Sequence, residues 1–223
     1  MSPHNRTPAY KQIVQTAFRL FIERGYDSTT YECIARESGS KKTNVQYYFP
    51  KKWQLFVLFI EKLLDEIVII VDRLPRRGRR DDASTLYLIG QIYYAFLLAD
   101  DNNCRLFFEA FFYREVTNEL LTSNANWALR SFSLGGNVPE AGDVLMPAII
   151  VASNGVYDLM YYALKNELPL DPLTLLAFDF KTFFALLPEG FLIPLVDYDG
   201  LKIDQATLEP LIEKLRDTLT GNA

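Results

Sequence analysis

Residues 29–52, TTYECIARESGSKKTNVQYYFPKK, carry the most constrained pattern in the chain. Thr29 and Glu32 stand at the T-x-x-E spacing of a capping box, where the two side chains satisfy orphan amides at a helix start. Tyr31, Ile34, Ala35 and Ser38 follow at i, i+3, i+4 and i+7, which gives one narrow apolar face. Gly39 suits the left-handed position that ends a helix, and Ser40 the cap that starts the next. The second helix, Lys41 to Tyr48, is mostly polar, and only Val45 and Phe49 are expected in a core. So polar a helix is held by its neighbours, which makes its exposed face the expected working surface. Its amides, hydroxyls and amines are groups that reach base edges and phosphates in a major groove.

Two short helices about a glycine break, the second polar and basic, read as a helix-turn-helix. Ile13, Ala17, Leu20, Phe21, Gly25, Tyr26, Thr29, Thr30, Ile34, Ala35, Gly39, Tyr48, Phe49, Lys52 and Leu55 match the amino-terminal pattern of TetR-family transcriptional regulators. The resemblance runs from about residue 9 to 55, with Ser40, Thr43 and Gln46 departing from the usual residue types. It implies that Lys42, Thr43, Asn44 and Tyr47 occupy base-facing and adjacent phosphate-facing slots. Gln46, where the family often has tyrosine, has an amide that could read adenine. Thr30, Tyr48 and Lys52 fall on phosphate-contacting positions, with Lys41 beside them.

The chain has 223 residues, 49% of them hydrophobic and 23% charged, enough to bury a substantial core. Cys33 and Cys104 are too few for a disulfide framework, and neither has metal-ligand spacing around it. His4 is the single histidine and lies in the polar start of the chain, so no folded-region histidine is available as a base. With no phosphate-cradling glycine loop either, we expect neither an enzyme nor a bound metal or cofactor. No amino-terminal run resembles a signal peptide, and no apolar run reaches ~18 residues without charge or strong polarity, so a soluble cytoplasmic protein without membrane contact is expected.

Charge is unevenly spread. Residues 1–62 hold ten Lys and Arg against five Asp and Glu, a net +5; the chain's −5 then leaves −10 for the remainder. A basic head on an acidic body fits a chain that touches nucleic acid with one end only.

Helical periodicity runs through the rest, and the spacing predicts an all-α protein of nine to ten helices. The first helix covers about Ala9 to Arg24, with Ile13, Ala17, Leu20 and Phe21 on its buried face and Gly25 past its end; Arg6, Lys11 and Arg19 leave it basic enough for phosphate contact. A long apolar helix follows Pro50, from Lys51 to about Leu74. At ~22 residues it spans roughly 33 Å, enough to join a head to a body. By the resemblance it is the connecting helix whose tilt sets the head separation. The arginine-rich run Arg73 to Arg80 lies about 30 Å from the recognition helix by the same rise, and reads as a solvated loop or a site for an anionic partner. Further helices are expected over 84–100, 103–121, 124–132, 143–167, 171–187 and 205–219, with loops over 133–142 and 188–204.

The division expected is a DNA-binding helix-turn-helix domain over residues 1–52 and a helical ligand-binding and dimerisation domain over 53–223. Two functions fit: a regulator, most simply a repressor, released from a palindromic double-stranded DNA operator by a small apolar or aromatic effector, or a helical dimeric binding or scaffold protein without such an effector. Candidate effector contacts are the aromatics Tyr94, Phe108, Phe112 and Trp127, in excess of one core face. Asn154 and Asp158, one turn apart in an apolar helix, read as a buried pair facing a ligand or crossing a dimer interface. The resemblance implies a homodimer through about residues 143–187, with 205–219 a further candidate for the same four-helix bundle.

Overall fold

The computed structural model describes residues 7–75, 82–131, 141–187 and 199–221. Among these it is all helical. The order is α1 (Pro8–Arg24), α2 (Tyr31–Glu37), α3 (Lys42–Tyr48), α4 (Lys52–Arg73), α5 (Asp82–Leu97), α6 (Asp101–Phe112), α7 (Arg114–Ser131), α8 (Ala141–Lys165), α9 (Pro172–Ala185) and α10 (Gln205–Thr220). Arg76–Arg80, the run 133–140 and residues 188–198 lie outside the described residues.

Helix ends follow local chemistry. Thr7, Asp100, Asp171 and Asp204 cap α1, α6, α9 and α10, each accepting a backbone N–H from the first turn. Gly25 and Gly39 take positive φ, 82° and 64°, where a Cβ would strain the backbone. Two expected caps are corrected. The cap of α2 is Thr30, whose hydroxyl accepts from the Cys33 amide. Thr29 is instead fully buried and donates to the Gly25 carbonyl at 2.7 Å, so its oxygen closes the preceding turn. The cap position of α3 is Lys41 rather than Ser40, and it makes no side-chain capping bond.

A second correction concerns the body. The spacing predicts a break after Leu121, but the chain breaks at Tyr113, where φ −91° and ψ 110° interrupt the helical run. Thr117 bonds back to the Phe111 and Tyr113 carbonyls, and the Tyr113 hydroxyl donates to Asp27 in the turn after α1. A tertiary anchor therefore outweighs continuous helical periodicity, and α7 then runs unbroken past Asn124.

One apolar core joins head and body, from Ile13 and Phe21 through Phe56, Phe59 and Leu63 to Phe107 and Tyr157. On its surface the α1–α2 turn is fastened to α6 and its corner. Glu109 accepts the Asp27 amide at 2.8 Å, and Arg105 donates to the Glu23 carbonyl at 3.1 Å. Helix α10 packs on α1, α4 and α5.

Candidate nucleic-acid interface

Helix α3 buries one residue, Val45; Lys42, Thr43, Asn44, Gln46 and Tyr47 are exposed, with Tyr47 at 65%. Phe49 closes its end in the core and stacks on Tyr10 at 5.4 Å. Thus two apolar anchors hold a helix whose polar face is exposed. Lys41 and Thr30 are exposed beside it. The sequence-predicted DNA residues are thus exposed, with two exceptions.

Tyr48 is half-buried, its hydroxyl 2.9 Å from the Thr7 hydroxyl and its ring edge-on to Tyr10 at 5.5 Å. Lys52 turns inward: its Nζ donates to the Tyr26 carbonyl at 2.9 Å and lies 3.9 Å from that ring's centre. Burial pushes its ammonium below the ordinary lysine value. Sequence pattern placed Lys52 near phosphate but carried no sign of this cation–π seat. Arg19 is also occupied: it bonds Glu23 and Glu37, both at 2.9 Å. Arg24 meets the other oxygen of Glu37, and hydrogen bonds first from Arg19 and then from Arg24 hold that carboxyl down at about 2.

The body has a polar centre within the apolar core. The Tyr93 and Tyr157 hydroxyls are 2.8 Å apart, and Asn124 donates to Tyr157 at 2.9 Å. The other polar atom of that amide, Oδ1, is buried without a hydrogen-bond partner. Beside it Tyr94 donates to Asp179 at 2.6 Å, and Ser153 lies 3.4 Å from the other carboxyl oxygen. Enclosure of this carboxyl raises its pKa to about 6, against the two hydrogen bonds that lower it. Sequence reasoning found Tyr94 but missed Tyr93, Asn124, Tyr157 and Asp179. The signal available was a lone carboxylate inside the apolar run LLAFDF.

The other candidate effector contacts sit elsewhere. Trp127 is buried and donates to Asp65 at 3.3 Å. Phe108 stacks on Tyr161 at 5.0 Å, while Phe112 is 65% exposed on the same tyrosine. Asn154 is half-buried and Asp158 exposed within the single chain, a pair joined at 2.9 Å on the outer face of α8. Its partner off the helix is Arg114, at 3.4 Å. A separate cavity of about 300 Å³ opens between Leu74, Leu88 and residues 200–204. Among the described residues no group of three His, Cys, Asp or Glu could hold a metal.

Residues 13–58 match the family model described as bacterial regulatory proteins, tetR family. The amino-terminal domain is of the TetR type. It is 38% identical over 79 residues to the HTH-type transcriptional regulator RutR of Escherichia coli K12, a match covering 35% of each chain. The chain thus spans about a third of that relative's length. The HTH-type transcriptional activator FasR of Mycolicibacterium smegmatis is 24% identical over 168 residues, 72% of this chain and 74% of FasR. Among solved structures, FadR from Bacillus subtilis in complex with stearoyl-CoA covers 79% of this chain and 97% of its own, at 19% identity and a TM-score of 0.45. Residues 13–58 thus carry a TetR-type amino-terminal domain, and the relatives named here are transcriptional regulators.

Proposed function

We propose that this TetR-type regulator binds a palindromic operator as a homodimer and is released when a small effector enters the body. The observation that carries the reading is the split of α3: Val45 is fully buried while Lys42, Thr43, Asn44, Gln46 and Tyr47 are all exposed. In this reading residues 1–52 are the DNA-binding unit and 53–223 the effector-binding and dimerisation unit. Asn44 and Gln46 read base edges, Lys41, Lys42, Thr43 and Thr30 meet phosphates or bases, and Tyr47 lies against them. Tyr48 and Lys52 act from behind, as the supports of α3 and of the α4 start.

Dimerisation through α8 and α9 is supported by two exposed stripes. Val151, Gly155, Leu159 and Tyr162 recur along α8, and Thr174, Phe178, Thr182 and Leu186 along α9. A Cβ at Gly155 would meet nothing within 4 Å, so this stripe leaves room for close approach by a second helix. The segment Asp143–Lys165 is also long and apolar enough to cross a membrane by length and composition alone. Asn154 and Asp158 on its outer face favour a protein partner there.

The effector is assigned to the polar centre of the body. Tyr93, Tyr157 and the ring of Phe111, stacked on Tyr157 at 4.4 Å, make an apolar aromatic surrounding. The unpaired Asn124 Oδ1 calls for a hydrogen-bond donor. A small aromatic or apolar molecule carrying one donor would match this chemistry. Repression, rather than activation, is the simplest use of such release.

The DNA reading is tested on a duplex enriched from a random pool by the full chain. Asn44→Ala and Gln46→Ala should each lose ~1–3 kcal/mol on that duplex and relax one base position. Lys41→Ala should weaken binding to every sequence alike. Equal losses on enriched and random duplexes for all three would sink the base-reading assignment.

A further inference from the structure

Glu32 stands in the first turn of α2, exposed, with its carboxylate in contact with the ammonium of Lys42, the first residue of α3. The pair links the two helices of the helix-turn-helix on their solvent side, where side-chain exposures are 62% for Glu32 and 48% for Lys42. The hydrogen bond from Lys42 is the main cause that holds the Glu32 carboxyl below its usual range. Neither residue is needed by the core, which takes Ile34 and Ala35 from α2 and Val45 from α3.

A carboxylate at this place is costly for a DNA-binding head. The first turn of α2, capped by exposed Thr30, and the outer face of α3 are the surfaces that the proposed function sets against DNA. An anion there is repelled by phosphates, and it also occupies a cation that would otherwise find them. Affinity for DNA of any sequence comes from cations that release condensed counterions, while sequence is read by groups on base edges. A residue that withholds one cation therefore weakens binding most on random DNA, where nothing else seats α3. On an operator, base contacts by Asn44 and Gln46 seat the helix and draw Lys42 off Glu32 onto the DNA.

We propose that Glu32 is a specificity-determining residue: it tethers Lys42, lowers affinity for random DNA more than for the operator, and so widens the gap between them. The inference rests on the DNA-binding reading of α3, and it goes beyond that reading by giving a discriminating role to a residue that touches no base. A purely structural pair makes a different forecast. An exposed ion pair contributes little to folding, and its loss would lower the melting temperature slightly without changing random-DNA binding.

The experiment measures affinity for a random-sequence duplex and for a duplex enriched by the wild-type chain, across a salt series. It uses wild type, Glu32→Gln, Lys42→Gln and the double variant, each checked by thermal melting. One freed cation adds about 0.9 to the steepness of the salt dependence, which at about 0.1 M salt corresponds to roughly 5- to 10-fold tighter binding. Glu32→Gln should show that gain on the random duplex and a smaller gain on the enriched one. In the Lys42→Gln background the same change should produce a much smaller gain, because only the repulsion of phosphate remains to be relieved. Unchanged or weaker random-duplex binding by a folded Glu32→Gln protein would overturn the proposal. So would an equal gain with and without Lys42, which would make Glu32 a general repulsive charge. The Asn44→Ala measurement described above fails independently: it removes the base-reading assignment without bearing on the random-duplex result.

Discussion

Two parts of the chain show the same amphipathic pattern and use it in opposite ways. Helix α10 turns its apolar face inward onto α1, α4 and α5, burying Leu215 and Leu219. Helices α8 and α9 pack on each other and on the body, yet leave Val151, Tyr162 and Phe178 more than half exposed. The fastening also differs. The buried Gln91 amide holds the segment leading into α10, donating to the Leu201 carbonyl and accepting from the Ile203 amide, both at 3.0 Å. Helix α9 is held by a carboxylate, Asp179, bonded to Tyr94 on α5 and Ser153 on α8. A hydrophobic stripe fixes that a face will be covered; what covers it depends on tertiary neighbours that the stripe does not name.

The largest consequence concerns assembly. Phe178→Asp places a charge in the exposed stripe of α9, and a central aromatic anchor lost from an interface costs roughly 2–4 kcal/mol before the charge is counted. Sedimentation should move from a dimer to the 25.6 kDa monomer, with the helical signal unchanged. A wild-type chain already monomeric at micromolar concentration would remove this half of the comparison.

Leu215→Ala tests the other half. The side chain is almost fully buried where α10 meets α1 and α4, so truncation should cost ~2–4 kcal/mol of folding stability. Its native fraction should still sediment as the wild type does. Loss of assembly without loss of stability would mean that α10, not α8–α9, carries the interface.

The two fastenings also separate by pH. The Asp179 carboxyl titrates at about 6 in the folded chain, against 3.8 for an unperturbed aspartate. Its protonated form is therefore the one the fold prefers. The contribution to stability is complete below about 3.8 and declines as pH rises through 6, by an upper limit of about 3 kcal/mol from a shift of this size. Asp179→Asn should flatten that decline in a denaturation series between pH 4 and 8. Gln91 carries no charge, so Gln91→Leu should lower stability by a similar amount at every pH. A wild-type curve with no fall across that window would contradict the enclosed carboxyl.

The smallest effect is expected at Arg216, which pairs with Asp100 and ties α10 to the start of α6. Both side chains are about one third exposed, so Arg216→Ala should cost about 1 kcal/mol or less. Faster hydrogen exchange confined to α10 and the α5–α6 turn would localise it.

Much of the head was legible because its constraints are local. Gly39 needs positive φ, Val45 and Phe49 are the apolar members of a polar run, and Phe56 to Val71 repeat at helical spacing, so each is read within one turn or two. What escaped was decided across the chain. Thr29 and Thr30 are equally able to cap, and only the Gly25 carbonyl, reached by Thr29, makes Thr30 the cap. The helix break at Tyr113 depends on Asp27, 86 residues away. Lys52 was placed near phosphate by pattern alone, and its inward seat depends on the Tyr26 ring and carbonyl. The apolar residues of the helix that holds Asn154 and Asp158 exceed what the body covers, so the pair lies on the outer side of the single chain.

The central claim is that α3 reads DNA as one of a two-fold pair. Its most direct test is selection of duplexes from a random pool by the full chain, followed by the mass of the complex formed on the enriched sequence. Two recognition helices related by a dyad meet successive major grooves about 34–36 Å apart. The account predicts an inverted repeat with half-site centres about one helical turn apart, or a multiple of it, bound by an even number of chains. An enriched sequence without a repeat and bound by a single chain, or no enrichment from a pool that the protein nonetheless binds, would contradict it.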